Sequence, residues 1–194
     1  MSEQPPQTTP AMKVDFAKIL ARLTVISLNP TGFWGTVRSD NEDIATIYRD
    51  YLVVLGAITP ICGFVLSIVS GGAILSSLVS MGVHYGLAIG FYFAGAVLVE
   101  LLGPRFDCTP TRENAFRWLT FSAFPALVSG VLLLLVPLLG KIPLFAMLGV
   151  GLYSIFILWH GMPEMIGVAH EKRGPFFICI AGCIVVFGVL LQAI

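Results

Sequence analysis

The sequence predicts an all-α, polytopic membrane protein, and three observations indicate this class. Of the 194 residues, 57% are hydrophobic and only 11% are charged, whereas roughly a quarter of a soluble domain is charged. Five apolar segments are each long enough to cross ~30 Å of hydrocarbon as a helix. When the loops are assigned to alternate sides, ten of the eleven Lys and Arg lie on the amino-terminal side and only Lys141 lies opposite. The positive-inside rule therefore predicts an N-in/C-out topology.

The five apolar segments define the domain organisation. We expect spans at about 51–70, 80–102, 118–139, 142–160 and 175–194. Together they form one five-helix transmembrane domain, residues 51–194. Residues 1–12 lack the features of a secretory signal and predict a disordered cytoplasmic tail. The expected location is the inner (cytoplasmic) membrane, with a cytoplasmic amino terminus, and a bacterial source is inferred from the compact length.

Residues 13–50 predict cytoplasmic interfacial amphipathic helices. Apolar side chains recur every three or four residues from Phe16 to Ile26, while Lys18 and Arg22 lie one turn apart on another face. Such a helix is too polar to span a bilayer and suits its surface. Asp40 is the predicted cap of a further helix that runs into the first span.

A second short helix is predicted between these two. Asn29 and Pro30 suit its cap and first position. Phe33 and Trp34 follow, and aromatic rings of this kind often lie at the headgroup level. With Arg38, these residues are candidates for cytoplasmic docking or interfacial contact. Two interpretations remain open: simple anchoring beneath the bundle, and a docking surface for another protein.

Prolines and glycines mark features inside the spans. Pro60 and Pro125 each remove a backbone hydrogen bond, which predicts helix kinks. Gly86 and Gly90 form a GxxxG motif that allows close helix approach. Helix packing within one chain and a homodimer contact both fit that motif.

Ionisable residues close to membrane depth are costly, so they are the main candidates for a polar site. Glu100, His160 and Glu164 lie near the cytoplasmic ends of the second and fourth spans. If these spans adjoin, the three side chains could surround a cytoplasm-facing polar vestibule. The alternative is that all three are solvated at the interface, where a charge costs little.

Catalytic and cofactor motifs are missing from the sequence. It contains no HExxH, G-x-S-x-G or Walker loop. Cys179 and Cys183 share a helix face, but no neighbouring Cys or His completes a soft-metal site. We therefore expect neither enzymatic activity nor a cofactor or metal. The formal net charge of zero gives no reason to expect a nucleic-acid partner.

Several motifs, in order, resemble the Yip family of Ypt/Rab-interacting membrane proteins, in particular its compact bacterial branch. They are Leu28-Asn29-Pro30, the stretch from Tyr51 to Pro60, WLTFSAFP at 118–125 and LYSIFILWHGMPEM at 152–165. The resemblance covers nearly the whole chain from about residue 16. It implies a helical bundle without catalysis. The long amino-terminal region and the DLYGP-type motif of eukaryotic members are missing, so Rab binding is not implied.

Two functions follow as expectations. The first is a membrane adaptor or organising protein whose cytoplasmic face docks a membrane or cytoplasmic protein partner. The second is a small permease or ion or proton pathway that uses the polar vestibule. In both, the lipid bilayer is the surrounding partner.

Overall fold

The computed structural model describes residues 15–40 and 42–192, and this part of the chain is helical without any strand. Two short helices come first, and five long ones follow. The short ones are α1 (Phe16–Leu28) and α2 (Pro30–Asp40). The long ones are α3 (Ile44–Val69), α4 (Ile74–Phe106), α5 (Arg112–Leu139), α6 (Ile142–Met165) and α7 (Arg173–Gln192).

Four of the long helices, α3 to α6, are long and apolar enough to cross a membrane. Sequence analysis predicted five spans, of which the fifth falls on α7. That helix is 20 residues long. The charged groups of the two short helices and of the loops 103–111 and 167–173 lie at the same end of the bundle, which we call the charged end.

Side-chain caps fix where the first helices begin. The Asp15 carboxylate accepts a hydrogen bond from the Lys18 amide at 3.1 Å, and Asn29 Oδ1 accepts one from the Gly32 amide at 3.0 Å. The predicted cap and first position of α2 at Asn29 and Pro30 are therefore confirmed. The cap predicted at Asp40 is wrong, because Asp43 caps α3 by accepting from the Thr46 amide at 3.1 Å.

The spans are not uniform α-helices. Helix α3 contains a π-helical turn at Tyr48–Leu52 and then runs through Pro60 as the α-helix Val53–Val69. Helix α4 ends in a 3₁₀ turn, Gly103–Phe106. Helix α5 is interrupted at Ala123, two residues before Pro125, and passes through a 3₁₀ segment, Gly130–Leu135. The interruption lies near Pro125, which cannot donate a backbone hydrogen bond, whereas at Pro60, where a kink was also predicted, the α-helix is continuous.

The core is aromatic and lies towards the charged end. The fully buried large side chains come from α1, α2, α3, α5, α6 and α7; among them are Ile26, Trp34, Tyr51, Trp118, Phe121, Phe124, Ile157 and Phe176. Trp118 also donates a hydrogen bond from Nε1 to the Leu158 carbonyl at 2.8 Å. Edge-to-face ring contacts link Phe33, Tyr51 and Phe121. The first half of α5 is therefore the centre of the bundle.

Helix α2 runs alongside α6 in the same direction. The Tyr153 hydroxyl donates to the Ser27 carbonyl at 2.7 Å just before the bend. Further along, the Trp34 ring lies so close to Gly161 that a Cβ there would be 2.3 Å from it. At the end of α2, Arg38 Nη1 donates to the Glu164 carbonyl at 3.2 Å. Residue numbers rise together on both helices, so the bend at Asn29 lies beside the middle of α6.

The contact between Trp34 and Gly161 gives the first prediction. In Gly161→Ala, the new methyl group collides with a buried, rigid indole, and overpacking of this kind costs roughly 1–3 kcal/mol. We expect a lower midpoint of thermal unfolding in detergent, followed by tryptophan fluorescence. Gly86→Ala is the matched control, because a Cβ at Gly86 meets nothing within 4 Å. Equal stability of the two variants would contradict the packing.

Candidate functional site

At the charged end, Glu42 is the acceptor for two cations of α1. One carboxylate oxygen lies 2.8 Å from Lys18 Nζ, and the other lies 2.8 Å from Arg22 Nη1. Arg22 also reaches Asp40 at 3.0 Å. The Arg22 side chain is only 13% exposed, so these charge-assisted bonds are stronger than those of a surface pair. They tie the start of α1 to the turn that precedes α3.

Two further elements complete this network. Arg117 of α5, itself buried, donates from Nε to the Glu42 carbonyl at 2.6 Å and from Nη1 to Asn114 at 3.0 Å. The Arg22 guanidinium lies over the Tyr51 and Phe121 rings at 5.1 and 5.2 Å from their centroids, a favourable cation–π geometry. Glu42 and Arg22 together therefore join the short helices to the first and third spans.

Hydrogen bonding shifts the pKa of two groups at this end. The bond to Glu42 raises the pKa of the Lys18 amine above its ordinary value. The hydroxyl and amide of Thr46 lower the pKa of the Asp43 carboxyl below its ordinary value. For Asp43 the folded form favours the ionised group, so the stability from its cap is present at neutral pH. It is lost as the pH falls through the lowered pKa.

The loops 103–111 and 167–173 are joined at their surface. Lys172 Nζ forms an ion pair with the Asp107 carboxylate. Asp107 has a φ of +55°, in the left-handed region, at the end of the 3₁₀ turn. The turn is closed by the Cys108 amide, which donates to the Gly103 carbonyl at 3.1 Å. The second loop is closed by Arg173 Nε, which donates to the Val168 carbonyl at 3.3 Å.

The residues predicted to form a polar vestibule have separate partners. Glu100 pairs with Arg112 at 2.8 Å, and Glu164 pairs with Arg38 at 3.6 Å. His160 Nδ1 donates to the Phe156 carbonyl of its own helix at 2.9 Å. The two carboxylates are thus already matched with cations from different elements. The vestibule stays a prediction, and these contacts do not assemble it.

The predicted docking residues divide into two groups. Phe33 and Trp34 are buried within the core, at 3% and 0% exposure. The expectation that their rings face the interface is therefore wrong, because Phe33 packs against Phe121 of α5 and Trp34 against Gly161 of α6. Asn29 and Arg38 are exposed, and Pro30 is half-buried.

The glycine motif and the cysteines lie on outer faces. Gly86 and Gly90 are exposed, and a Cβ at either would meet nothing within 4 Å, so the motif does not bring together helices of the described chain. Close approach is instead provided at Gly130, where a Cβ would lie 2.7 Å from the Thr59 Cα. Cys179 and Cys183 are free and exposed. Within the described residues, no group of three or more His, Cys, Asp or Glu could hold a metal.

Two cavities lie among the spans, and sequence reasoning found neither. An apolar one of about 390 Å³ lies between α4, α5, α6 and α7, with Tyr92, Leu119 and Leu158 in its wall. A more polar one of about 460 Å³ lies between α3, α4 and α5, and Thr59, Ser67, Ser77 and His84 line it. Only the small hydroxyl residues near His84 and Pro60 in the sequence could have indicated the second cavity.

The chain was compared with known proteins. The family model described as the Yip1 domain matches residues 23–193, so the resemblance to the Yip family is confirmed. No curated protein and no solved structure matches the chain.

The network around Glu42 gives the second prediction. In Glu42→Gln the carboxylate that neutralises Lys18 and Arg22 is removed, while the Arg117 bond to the backbone remains. We expect a loss of about 1–3 kcal/mol, since a partly buried guanidinium is left with one acidic partner fewer. The measurement is denaturant unfolding in detergent.

Glu171→Gln, on an exposed position of the second loop, is the control for the loss of one negative charge. A double-mutant cycle with Arg22→Gln isolates the pair. A coupling energy near zero would show that Glu42 and Arg22 do not stabilise each other.

Proposed function

The chain belongs to the Yip1 domain family, and we propose that it is a five-span, N-in/C-out membrane adaptor in the inner membrane. In this proposal it has no catalytic activity, and its charged end docks a membrane or cytoplasmic protein partner. Membership of the family, with apolar helices α3 to α6, makes it a membrane protein. The remaining steps of the proposal are argued below.

The fifth span is assigned to α7. Its 20 residues have a helical length of about 30 Å, which matches the hydrocarbon thickness. With five spans, the two chain ends lie on opposite sides of the membrane. Lys141 follows Gly140 at the far end of the bundle, whereas the remaining described Lys and Arg belong to the short helices, the starts of the spans and the two loops. This asymmetry supports a cytoplasmic charged end.

The observation that carries the docking proposal is the ion pair between Lys172 and Asp107. It joins two loops that are far apart in sequence, each of which is closed by its own hydrogen bond, Cys108 to Gly103 in the first and Arg173 to Val168 in the second. Arg105, His170 and Glu171 are exposed on the same loops. A surface that is already ordered loses little conformational entropy when it binds a partner. Its mixed charge favours a protein partner of complementary charge.

The pairing of the carboxylates argues against the permease. An ion pathway through Glu100 and Glu164 needs their charges to face a common aqueous cavity, yet each is matched with an arginine at the surface. Both are well exposed, at 36% and 50% of their side chains. The interpretation as solvated interfacial groups therefore accounts for them.

The topology gives the third prediction. With Cys179 and Cys183 replaced by Ala, Lys141→Cys should react with a membrane-impermeant maleimide added to intact cells. Glu171→Cys should react only after the membrane is opened, because it lies at the cytoplasmic end. The reverse pattern would overturn the N-in assignment, and equal labelling of both would overturn a single topology.

Docking gives the fourth prediction. The double variant Arg105→Glu, Lys172→Glu reverses the charge of the joined loops, and we expect it to lose most of a partner that co-purifies with the intact protein in mild detergent. Crosslinking and mass spectrometry identify and quantify that partner. Binding through exposed charge should also weaken as salt is raised.

Lys141→Glu is the matched control, since it reverses a charge at the other end. Partner recovery that is equal in all three proteins would contradict docking at the charged end. The Gln variants of Glu100 and Glu164 separate docking from transport. A flux in proteoliposomes that these variants abolish would instead support the permease.

A further inference from the structure

The charged groups of the short helices are gathered at one end of the hairpin that α1 and α2 form. Lys18 in the first turn of α1 and Arg22 at its middle bind Glu42 and Asp40, and Arg38 near the end of α2 binds Glu164. Between Arg22 and Arg38 the sequence contains neither an acidic nor a basic residue. The hairpin therefore has a charged base and an uncharged bend.

The contacts with α6 fix how far the bend lies from that base. Tyr153, which binds Ser27, is the twelfth of the 24 residues of α6 and lies eleven residues before Glu164. At a helical rise of 1.5 Å per residue, the bend lies about 16 Å from Glu164 along α6, in the direction away from the charged end. A helix lying in the interface is buried by only about 5–10 Å. The bend therefore reaches the depth of the bilayer midplane, since the hydrocarbon is ~30 Å thick.

Several polar groups at the bend are paired within the protein. The Asn29 amide donates to the Val25 carbonyl at 2.8 Å, and the Asn29 side chain accepts from Gly32. Pro30 has no amide hydrogen, and the Ser27 carbonyl accepts from Tyr153. In hydrocarbon an unsatisfied backbone group costs several kcal/mol. This internal pairing lowers the cost of placing the bend in lipid.

The outer face of α1 is uncharged and mostly apolar; its exposed polar residue Thr24 donates its hydroxyl hydrogen to the Leu20 carbonyl at 2.9 Å. Ile19 and Ile26 face the bundle, while Phe16, Leu20 and Leu28 are 65%, 63% and 81% exposed. The face thus remains uncovered by the described chain. Because it extends from the charged base down to the bend, the occupant that covers it must be equally long and apolar.

We propose that residues 16–40 form a re-entrant hairpin embedded in one leaflet, and that the ligand of its outer face is the acyl chains of that leaflet. The hairpin enters from the charged end and returns to it. It therefore adds the cross-section of two helices to one leaflet and none to the other. This proposal rests on the membrane assignment of the family and not on docking or on N-in topology.

The alternative is an interfacial helix held by anionic headgroups. That arrangement uses free cations on the polar face, but Lys18 and Arg22 are already bound to carboxylates. The geometry therefore predicts contact with lipid tails that does not depend on headgroup charge.

The fifth prediction tests this depth with nitroxide labels on the full chain, in which the exposed Cys179 and Cys183 are replaced by Ala. Single cysteines replace Phe16, Leu20 and Leu28. Leu152→Cys, at mid-height on the exposed face of α6, is the deep reference, and Leu101→Cys, at the charged end of α4, is the shallow one. Collision with oxygen and with a water-soluble nickel complex gives each depth by electron paramagnetic resonance.

We expect the label at Leu28 to match the one at Leu152, the label at Phe16 to match the one at Leu101, and Leu20 to lie between. Depths should be equal in vesicles of pure phosphatidylcholine and in vesicles with added phosphatidylglycerol. All three substituted side chains are exposed, so the fold tolerates the labels; unchanged thermal unfolding verifies this.

Three results would overturn the proposal. A label at Leu28 as accessible to nickel as the one at Leu101 places the bend at the surface. A label shielded from both probes means that protein covers the face. A depth that requires phosphatidylglycerol indicates headgroup binding. Because partner recovery is not measured, failure here leaves the docking proposal to its own test.

Discussion

The packing of Trp34 against Gly161 is the constraint on which the arrangement of the short helices depends. An indole has room there only because Gly161 carries no Cβ. The close approach fixes the register of α2 on α6, and that register brings Ser27 to Tyr153 and Arg38 to Glu164. Van der Waals contact of this kind is the main source of helix association where solvent contributes little.

The cations at the base of the hairpin can be buried because each guanidinium has hydrogen-bonding or aromatic partners. Arg22 has two acidic partners and two aromatic rings, and Arg117 has a carbonyl and an amide oxygen. A buried guanidinium without such partners would be costly. Since Glu42 uses its carboxylate for α1 and its carbonyl for α5, the same residue fixes the hairpin and the third span. Ion pairs and hydrogen bonds therefore hold the base of the hairpin, and close packing holds the remainder.

Much of the helical organisation was predictable from residues alone. Length and hydropathy identified α3 to α6, and the Asn29-Pro30 pair identified the start of α2. Burial was not predictable, because in a membrane protein an apolar side chain suits both lipid and core. Phe33 and Trp34 could thus be placed at the headgroups by composition, although they lie inside. Likewise, the GxxxG motif of α4 indicates only that a close helix contact is allowed there. The close contacts observed are at Gly130 with Thr59 and at Gly161 with Trp34.

The pairing of acids also could not be read from the sequence, since Glu100 and Glu164 find arginines in other elements. These ion pairs change which function the charged end supports. With Glu100 and Glu164 each paired with an arginine, neither is the free acid that a cation pathway needs, and the charged end keeps a surface of mixed charge. Glu164 also lies beside the base of the hairpin, where Arg38 of α2 pairs with it. A partner docked at the charged end would therefore contact the same helix ends that set the depth of the hairpin. The same part of the protein thus supports both the proposed docking surface and the lipid-facing side of α1.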